Sequence, residues 1–118
     1  MQTVIERFFA AWSHTDAGSR TASIRGALSA TATYSDPRSD GRLVGVDAIS
    51  DYVGQFAANA PGWAAVVDSV DEVNGYAKVI VSFGGPGPDG KPMTQPGTYF
   101  AEIDDEGMIV ALAGFIGV

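Results

Sequence analysis

Residues 34–49, YSDPRSDGRLVGVDAI, decide the fold because they contain the change from a strand, through a charged turn, to a helix. Alternation at the start of this stretch places Tyr34 and Asp36 on one face of a short strand. Pro37 to Gly41 predicts a charged turn, and Gly45-Val46-Asp47 predicts the start of a helix. Asp36 is therefore either a turn residue or a carboxylate that faces a pocket.

Helical spacing of apolar residues precedes and follows this stretch. A first helix is predicted over residues 2–14 and a shorter second helix from Ser19 to Leu28, with Ser19 as its cap. A third helix begins near Gly45 and ends at residues 59–62, where NAPG cannot continue it. The apolar positions of the first and third helices are Val4, Ile5, Phe8, Phe9 and Trp12, and Ile49, Tyr52, Val53 and Phe56.

The remainder of the chain predicts antiparallel strands. A strand over residues 63–73 is turned by Asn74-Gly75, a strong hairpin signal, into a strand over 76–83. GGPGPDGKP then predicts a long loop, and residues 94–103 a strand that Pro96-Gly97 could interrupt. After the turn at 104–107, residues 108–116 form the last strand. Helices followed by a strand meander indicate one α+β domain, residues 1–118, with helices on one face of a curved sheet.

Composition limits the classes of partner and site. The 118 residues carry a net charge of −7 and 46% apolar residues, so a folded domain is expected and nucleic acid or an anionic membrane would be repelled. The absence of cysteine excludes disulfides and thiolate sites, and a single histidine cannot build a His-rich zinc centre. We expect no metal and no cofactor. The N-terminal residues carry no signal-peptide pattern, which predicts a cytoplasmic protein without a membrane span.

Several polar segments have simpler explanations than catalysis. His14 ends the first helix, where imidazole can interact with terminal carbonyls. Arg38 and Arg42 could clamp a carboxylate, but the neighbouring acids favour a surface ion-pair cluster. Asp104-Asp105-Glu106 lacks the spacing of a calcium loop, and GGPGPDG is followed by no helix that could bind phosphate. That loop is predicted to be mobile, as a lid or an interface element.

Four motifs in this order resemble the nuclear transport factor 2-like superfamily, in its SnoaL-like and ketosteroid-isomerase-like branch. They are FFAAW in the first helix, YSDP at the end of the first strand, GRLVGVDAI before the third helix, and IDDEGMIVALAGFIG as the closing hairpin. The resemblance implies a cone-shaped, cystatin-like fold, in which a curved antiparallel sheet wraps around about three N-terminal helices. It also implies an apolar pocket in the cone and a homodimer formed through the outer sheet face, where Ile80, Phe100 and Val110 supply apolar surface.

The same resemblance assigns roles to three residues. Asp36 matches the general-base aspartate of ketosteroid isomerase, an enzyme whose aspartate base and oxyanion hole are a worked example of tuned carboxyl groups. Trp12 and Tyr99 fall where that enzyme has its oxyanion-hole tyrosine and protonated aspartic acid. Trp12 offers an indole N–H and Tyr99 a phenol O–H, so both could donate to a ligand oxygen. Locally, however, Trp12 also fits a core position and Asp36 a turn position.

Strand parity and the helical stripes predict the pocket walls. If Tyr99 points inward, so do Ala101 and Ile103, and Phe83 shares an apolar face with Val79 and Val81. The expected substrate-binding set, with the last two positions taken from the resemblance, is Phe8, Tyr34, Tyr52, Phe56, Phe83, Leu112 and Ile116. Such a largely apolar cavity suits a small hydrophobic molecule.

Two function classes follow. The first is a cofactor-independent isomerase or a polyketide cyclase-like enzyme, in which Asp36 moves a proton beside a carbonyl group of a small apolar substrate. The second is a non-catalytic ligand-binding or dimerisation module, in which Asp36 is structural. A hydrolase resembling limonene epoxide hydrolase is less well supported, because the Asp-Arg-Asp set of that family cannot be placed.

Overall fold

The computed structural model describes residues 3–117, in which three helices are followed by most of a six-stranded sheet. The helices are α1 (Val4–Ala10), α2 (Ala17–Arg25) and α3 (Val46–Asn59), and a 3-10 turn (Ala11–Ser13) extends α1. The strands are β1 (Leu28–Ser35), β2 (Leu43–Val44), β3 (Ala64–Val73), β4 (Tyr76–Pro86), β5 (Pro92–Ile103) and β6 (Ile109–Ile116). None of the helices within residues 3–117 is long and apolar enough to cross a membrane.

The first and third helices confirm the predicted ranges closely. Thr3 caps α1 through a reciprocal pair of hydrogen bonds with Glu6, and Gln2, the predicted first residue, lies outside the described residues. The prediction for α2 was wrong at both ends. Asp16, not Ser19, is its N-cap: the Asp16 carboxylate accepts a hydrogen bond from the Ser19 N–H at 2.8 Å. Leu28, predicted as the end of this helix, begins β1.

The strands follow the order β2-β1-β6-β5-β4-β3 across one sheet. Parallel pairing joins β1 to β6, which departs from the expected antiparallel sheet, and the other neighbouring pairs are antiparallel. Asn74 and Gly75 both have positive φ, 50° and 85°, as the tight hairpin between β3 and β4 requires. Because of this strand order, the last strand, β6, lies beside β1, and their pairing reaches Ser35, the residue before Asp36.

The β4–β5 hairpin is longer than the sequence predicted. GGPGPDGKP was expected to be a loop throughout, but Gly84 to Pro86 continue β4 and pair with residues 92–94. Pro96 and Gly97 do not interrupt β5, where they lie opposite Ser82 and Val81. The turn itself comprises only residues 87–91. The longer β4 and β5 therefore extend beyond the core as a two-stranded wall.

One face of the sheet packs against the helices. Strand parity is confirmed in β5, where Tyr99 and Ala101 are buried and Phe100 is 52% exposed. Val79 and Val81 of β4 are also fully buried. On the helical side the core consists of Ile5, Phe8, Phe9, Trp12, Ile24, Ile49 and Val53. Burial of these side chains is the main stabilising contribution to the fold, and it leaves the ends of β4, β5 and β6 to enclose a cavity.

Candidate functional site

A cavity of about 340 Å³ lies between the 3-10 turn, α3 and the extended ends of the strands. Aromatic and other apolar residues form most of its walls, and its charged lining residues are Asp36 and Arg38. The other lining residues are Trp12, Pro37, Tyr52, Phe56, Ala60, Trp63, Phe83, Pro88, Met93, Gln95, Pro96, Gly97, Tyr99, Phe115 and Ile116. Such a volume and lining are typical of a site for a small organic molecule.

Asp36 follows the last residue of β1 and combines the two roles that the sequence left open. Its Oδ1 atom accepts hydrogen bonds from the backbone N–H groups of Arg38 and Ser39, both at 2.8 Å. These bonds form an Asx-type turn that fixes the carboxylate at the strand end. The same carboxylate lines the cavity. Asp36 is thus a turn residue whose side chain also faces the cavity.

Two tyrosine hydroxyls hold the carboxylate from either side. Tyr34, two residues earlier on the same strand face, donates to Oδ2 at 2.7 Å. Tyr52 on α3 contacts both oxygens, at 2.7 Å from Oδ1 and 2.8 Å from Oδ2. A carboxylate offers about four acceptor positions. Two backbone and two phenolic donors therefore occupy most of them.

The hydrogen-bonded chain continues across the sheet to Tyr99. Its hydroxyl lies 2.9 Å from that of Tyr34, and the Tyr99 ring forms part of the cavity wall. Burial is the main cause that raises the pKa of Tyr34, Tyr52 and Tyr99 well above the usual tyrosine value. The charge of Asp36 acts in the same direction on all three. These hydroxyl groups are consequently protonated at neutral pH.

Trp12 occupies the centre of the aromatic wall. Only 2% of its surface is exposed, and its ring centroid lies 4.9 Å from that of Phe56 and 5.5 Å from that of Phe83. The buried Nε1 atom has no hydrogen-bond partner among residues 3–117. Trp12 is therefore a core residue whose ring also lines the cavity and whose buried indole N–H is unpaired within residues 3–117.

The sequence-predicted residues divide between the cavity and the core. Seven of the predicted positions line the cavity: Trp12, Asp36, Tyr52, Phe56, Phe83, Tyr99 and Ile116. Phe8, Tyr34 and Leu112 are buried in the core and do not line it. Tyr34 and Leu112 are register partners on the β1–β6 pair, which lies deeper than the cavity. Tyr34 nevertheless acts on the site through its bonds to Asp36 and Tyr99.

Sequence reasoning missed the wall that the long β4–β5 hairpin contributes. Met93 lies between the predicted loop and the predicted strand, while Gln95 and Gly97 lie in the strand predicted over residues 94–103; all three line the cavity, although none was predicted to do so. Trp63, directly before β3, also lines it and donates its indole N–H to the carbonyl of Pro86 at 2.9 Å. The alternation of Met93, Gln95 and Gly97 at a period of two was the signal available for this strand.

His14, Arg42 and the acidic turn lie outside the cavity lining. The predicted ion-pair cluster around Arg38 and Arg42 is absent from the described part of the chain, where the one side-chain ion pair joins Arg25 to Asp47 at 3.5 Å. Within residues 3–117, no group of three or more His, Asp and Glu side chains is arranged to hold a metal ion.

Several solved structures have the same fold as this chain. A candidate isomerase of the SnoaL-like family from Agrobacterium tumefaciens is 22% identical over 98% of this chain and 95% of its own, with a TM-score of 0.82. A candidate SnoaL-like polyketide cyclase from Jannaschia sp. is 15% identical over 96% and 82%, with a TM-score of 0.77. The TM-scores establish a shared fold, and identities this low show the fold alone.

A third structure of this fold contains a small ligand. The protein, from Catenulispora acidiphila, has a ketosteroid isomerase-like fold and was crystallised in complex with trimethylamine. It is 15% identical over 94% of this chain and 82% of its own, with a TM-score of 0.76.

Sequence comparison extends beyond the fold. No protein with a curated description matches the chain significantly. The family model of the SnoaL-like domain matches residues 5–112. This range includes the central part of every helix and all of the cavity-lining residues except those at the end of β6. The chain therefore belongs to the SnoaL-like domain family, and its α+β architecture is the nuclear transport factor 2-like fold.

Proposed function

We propose that this protein binds a small, largely apolar molecule in the cavity, with Asp36 as the polar group that orients it. The observation that carries the proposal is a single carboxylate held at one side of a largely apolar, aromatic-rich cavity. A protein of the same fold was solved in complex with trimethylamine, which supports small-molecule binding as a use of this fold. A cytoplasmic location and the lack of a cofactor remain predictions from the sequence.

A cavity-filling substitution tests the proposal. Ala60 is half-buried and lines the cavity, whereas Ala58 is exposed and lies outside the lining. We expect cyclohexanone to shift the NMR signals of cavity residues in the wild type and in Ala58→Phe. In Ala60→Phe, binding should weaken by at least about tenfold, because the new ring occupies the cavity. If Ala60→Phe binds the probe as the wild type does, the ligand does not enter this cavity.

Proton transfer by Asp36 is the second candidate function, as in a cofactor-independent isomerase or cyclase. It is favoured by the position of Tyr52, which lines the cavity while it covers both carboxylate oxygens. Movement of this one side chain would free an oxygen of Asp36 toward a bound carbonyl compound. Four donors already occupy the carboxylate and leave few of its acceptor positions free for a substrate proton, which is why ligand binding ranks first.

Hydrogen–deuterium exchange separates the two functions. A general base in the cavity should accelerate exchange of the α-protons of cyclohexanone in D₂O, and Asp36→Asn should abolish the acceleration. The asparagine carbonyl can still accept the N–H groups of Arg38 and Ser39, so the turn is expected to persist. Asp40→Asn, an exposed position in the same turn, is the matched control. Equal exchange with the wild type and Asp36→Asn would leave only the binding function.

We also propose a homodimer through the outer sheet face. Phe100 and Phe115 are 52% and 55% exposed there, and their rings pack edge to face at 5.9 Å. Exposed paired aromatic rings are typical of interaction surfaces.

Substitution of Phe100 tests this interface. Phe100→Lys should convert a dimer at micromolar concentration into a monomer in sedimentation experiments. Ala58→Lys, at an exposed position on α3 and away from the sheet face, should leave the mass unchanged. A monomeric wild type would refute the dimer.

A further inference from the structure

We infer that the cavity takes a protonated alkylamine, whose ammonium N–H donates to the oxygens of Asp36, Tyr52 and Tyr99. The inference rests on the proposed small-molecule binding and specifies the chemical class of the ligand. It follows from the direction of the hydrogen bonds within one cluster of hydroxyl groups and a carboxylate. The cluster consists of Tyr34, Asp36, Tyr52 and Tyr99.

The direction of the hydrogen bonds at Asp36 is fixed by donors that cannot reverse. The backbone N–H groups of Arg38 and Ser39 both point to Oδ1, so that oxygen is an acceptor. The Tyr52 hydroxyl lies within 2.8 Å of both carboxylate oxygens. Its single proton is directed to the carboxylate. Tyr52 consequently presents lone pairs, and no proton, to the cavity.

The same argument passes along the chain to Tyr99. Tyr34 gives its one hydroxyl proton to Oδ2 of Asp36. The 2.9 Å hydrogen bond between Tyr34 and Tyr99 must then take its proton from Tyr99. Neither cavity-lining hydroxyl has a proton left for a ligand. A carbonyl or enolate oxygen would face only other acceptors here, whereas an N–H or O–H group could donate a hydrogen bond to them.

The charge and the walls of the cavity favour a cationic donor in particular. Asp36 is the acidic lining residue, and the protein carries a net charge of −7. The rings of Trp12, Tyr52, Phe56 and Phe83 line the same cavity. Aromatic faces attract cations through their quadrupoles, most strongly in tryptophan. The alkyl groups of an amine would contact these rings while its N–H group reaches the carboxylate cluster.

Two other lining groups affect which ligand binds: one repels a cation, and the other can donate a hydrogen bond. Arg38 is exposed and forms no ion pair within residues 3–117, so its charge should weaken the binding of a monocation. The side-chain amide of Gln95, which also lines the cavity, can donate to an oxygen elsewhere on the ligand. The acceptor character of Asp36, Tyr52 and Tyr99 is unaffected by either.

Three probes of similar size distinguish the ligand classes: triethylammonium, the neutral ketone 3-pentanone, and the anion 2-ethylbutyrate. Titrations followed by NMR should give the tightest binding for triethylammonium. Asp36→Asn should weaken it by at least about tenfold, because a charge-assisted hydrogen bond is lost, and should not weaken 3-pentanone. Arg38→Gln should strengthen triethylammonium binding.

Tyr34→Phe provides a sharper test because Tyr34 does not line the cavity. Without the Tyr34 hydroxyl, the proton of Tyr99 becomes free to point at a ligand. We expect 3-pentanone binding to improve about three- to tenfold, while triethylammonium binding weakens. A merely structural role of Tyr34 would weaken both probes together, and that result would overturn the inference. Should Tyr34→Phe not fold, Asp36→Asn gives the same contrast between the probes.

The outcomes separate this inference from the proposed function. If 3-pentanone or 2-ethylbutyrate binds the wild-type cavity as tightly as triethylammonium, the amine inference is overturned and small-molecule binding stands. If none of the three probes nor cyclohexanone perturbs the cavity residues, both are overturned.

Discussion

Trp12→Ala should lower the free energy of unfolding by about 3–5 kcal/mol, because it removes the central ring of the aromatic core. Only 2% of the Trp12 surface is exposed. Neighbouring rings surround it within 6.2 Å between centroids: Phe8, Phe9, Tyr34, Tyr52, Phe56 and Phe83. The loss comes from packing alone, since the buried Nε1 atom has no hydrogen-bond partner among residues 3–117.

Trp12→Phe is the matched control for this prediction. It keeps an aromatic ring in the wall but removes the indole N–H, so it should destabilise the protein much less than alanine does. Urea unfolding followed by far-UV circular dichroism measures both variants. A cost for Trp12→Ala below about 1 kcal/mol would show that Trp12 is not a packing centre, because a buried tryptophan cannot be removed so cheaply.

The two roles of Trp12 illustrate what periodicity can predict. Its place on the apolar stripe of the first helix indicated burial, and the resemblance of the sequence to ketosteroid isomerase indicated the site. The structure has both, because the 3-10 turn after α1 ends where the core meets the cavity. An amphipathic stripe reports which face is buried, but not whether the buried face meets packed side chains or a cavity.

Strand alternation placed Tyr34 and Asp36 on one face and grouped Tyr99 with Ala101 and Ile103, but it predicted none of the hydrogen bonds. Tyr34 and Tyr99 are distant in sequence and meet because β6 lies between β1 and β5. That order depends on the parallel β1–β6 pair, for which the sequence carries no local signal. Tyr52 likewise fitted the apolar stripe of α3, and its hydroxyl reaches Asp36 only through the tertiary packing of α3 on β1.

Errors at element ends have local causes. The second helix was predicted to be capped by Ser19, although Asp16 stands three residues earlier and aspartate is one of the most favoured N-cap residues. In β4 and β5, prolines and glycines were interpreted as a loop. Proline is tolerated toward the end of a hairpin, and Pro86 lies opposite Pro92 at the last pair before the turn. The misjudged hairpin is the part of the cavity wall that the sequence did not predict.

A glycine opposite Tyr99 gives the second large prediction. Gly114→Ala should destabilise the protein by about 1–3 kcal/mol and abolish the hydrogen bond between Tyr34 and Tyr99, because it overpacks the site. Gly114 is the register partner of Tyr99, and a Cβ atom placed on it would lie 2.6 Å from Cζ of the Tyr99 ring. The ring cannot easily yield, since it is 3% exposed and packs edge to face against Phe9 at 4.9 Å.

Gly84→Ala is the matched control on the neighbouring hairpin strand β4, where the nearest atoms to an added Cβ lie at 3.5 and 3.7 Å, in ordinary van der Waals contact. Urea unfolding should show a small change in stability for Gly84→Ala and a large one for Gly114→Ala.

Displacement of the Tyr99 ring should also weaken the binding of both 3-pentanone and triethylammonium, because it alters the cavity wall itself. This joint loss differs from the opposite effects expected for Tyr34→Phe, which changes a proton and leaves the wall in place. Equal stability of the two alanine variants would mean that the Tyr99 ring is free to move, and the fixed proton direction at Tyr99 would lose its structural basis.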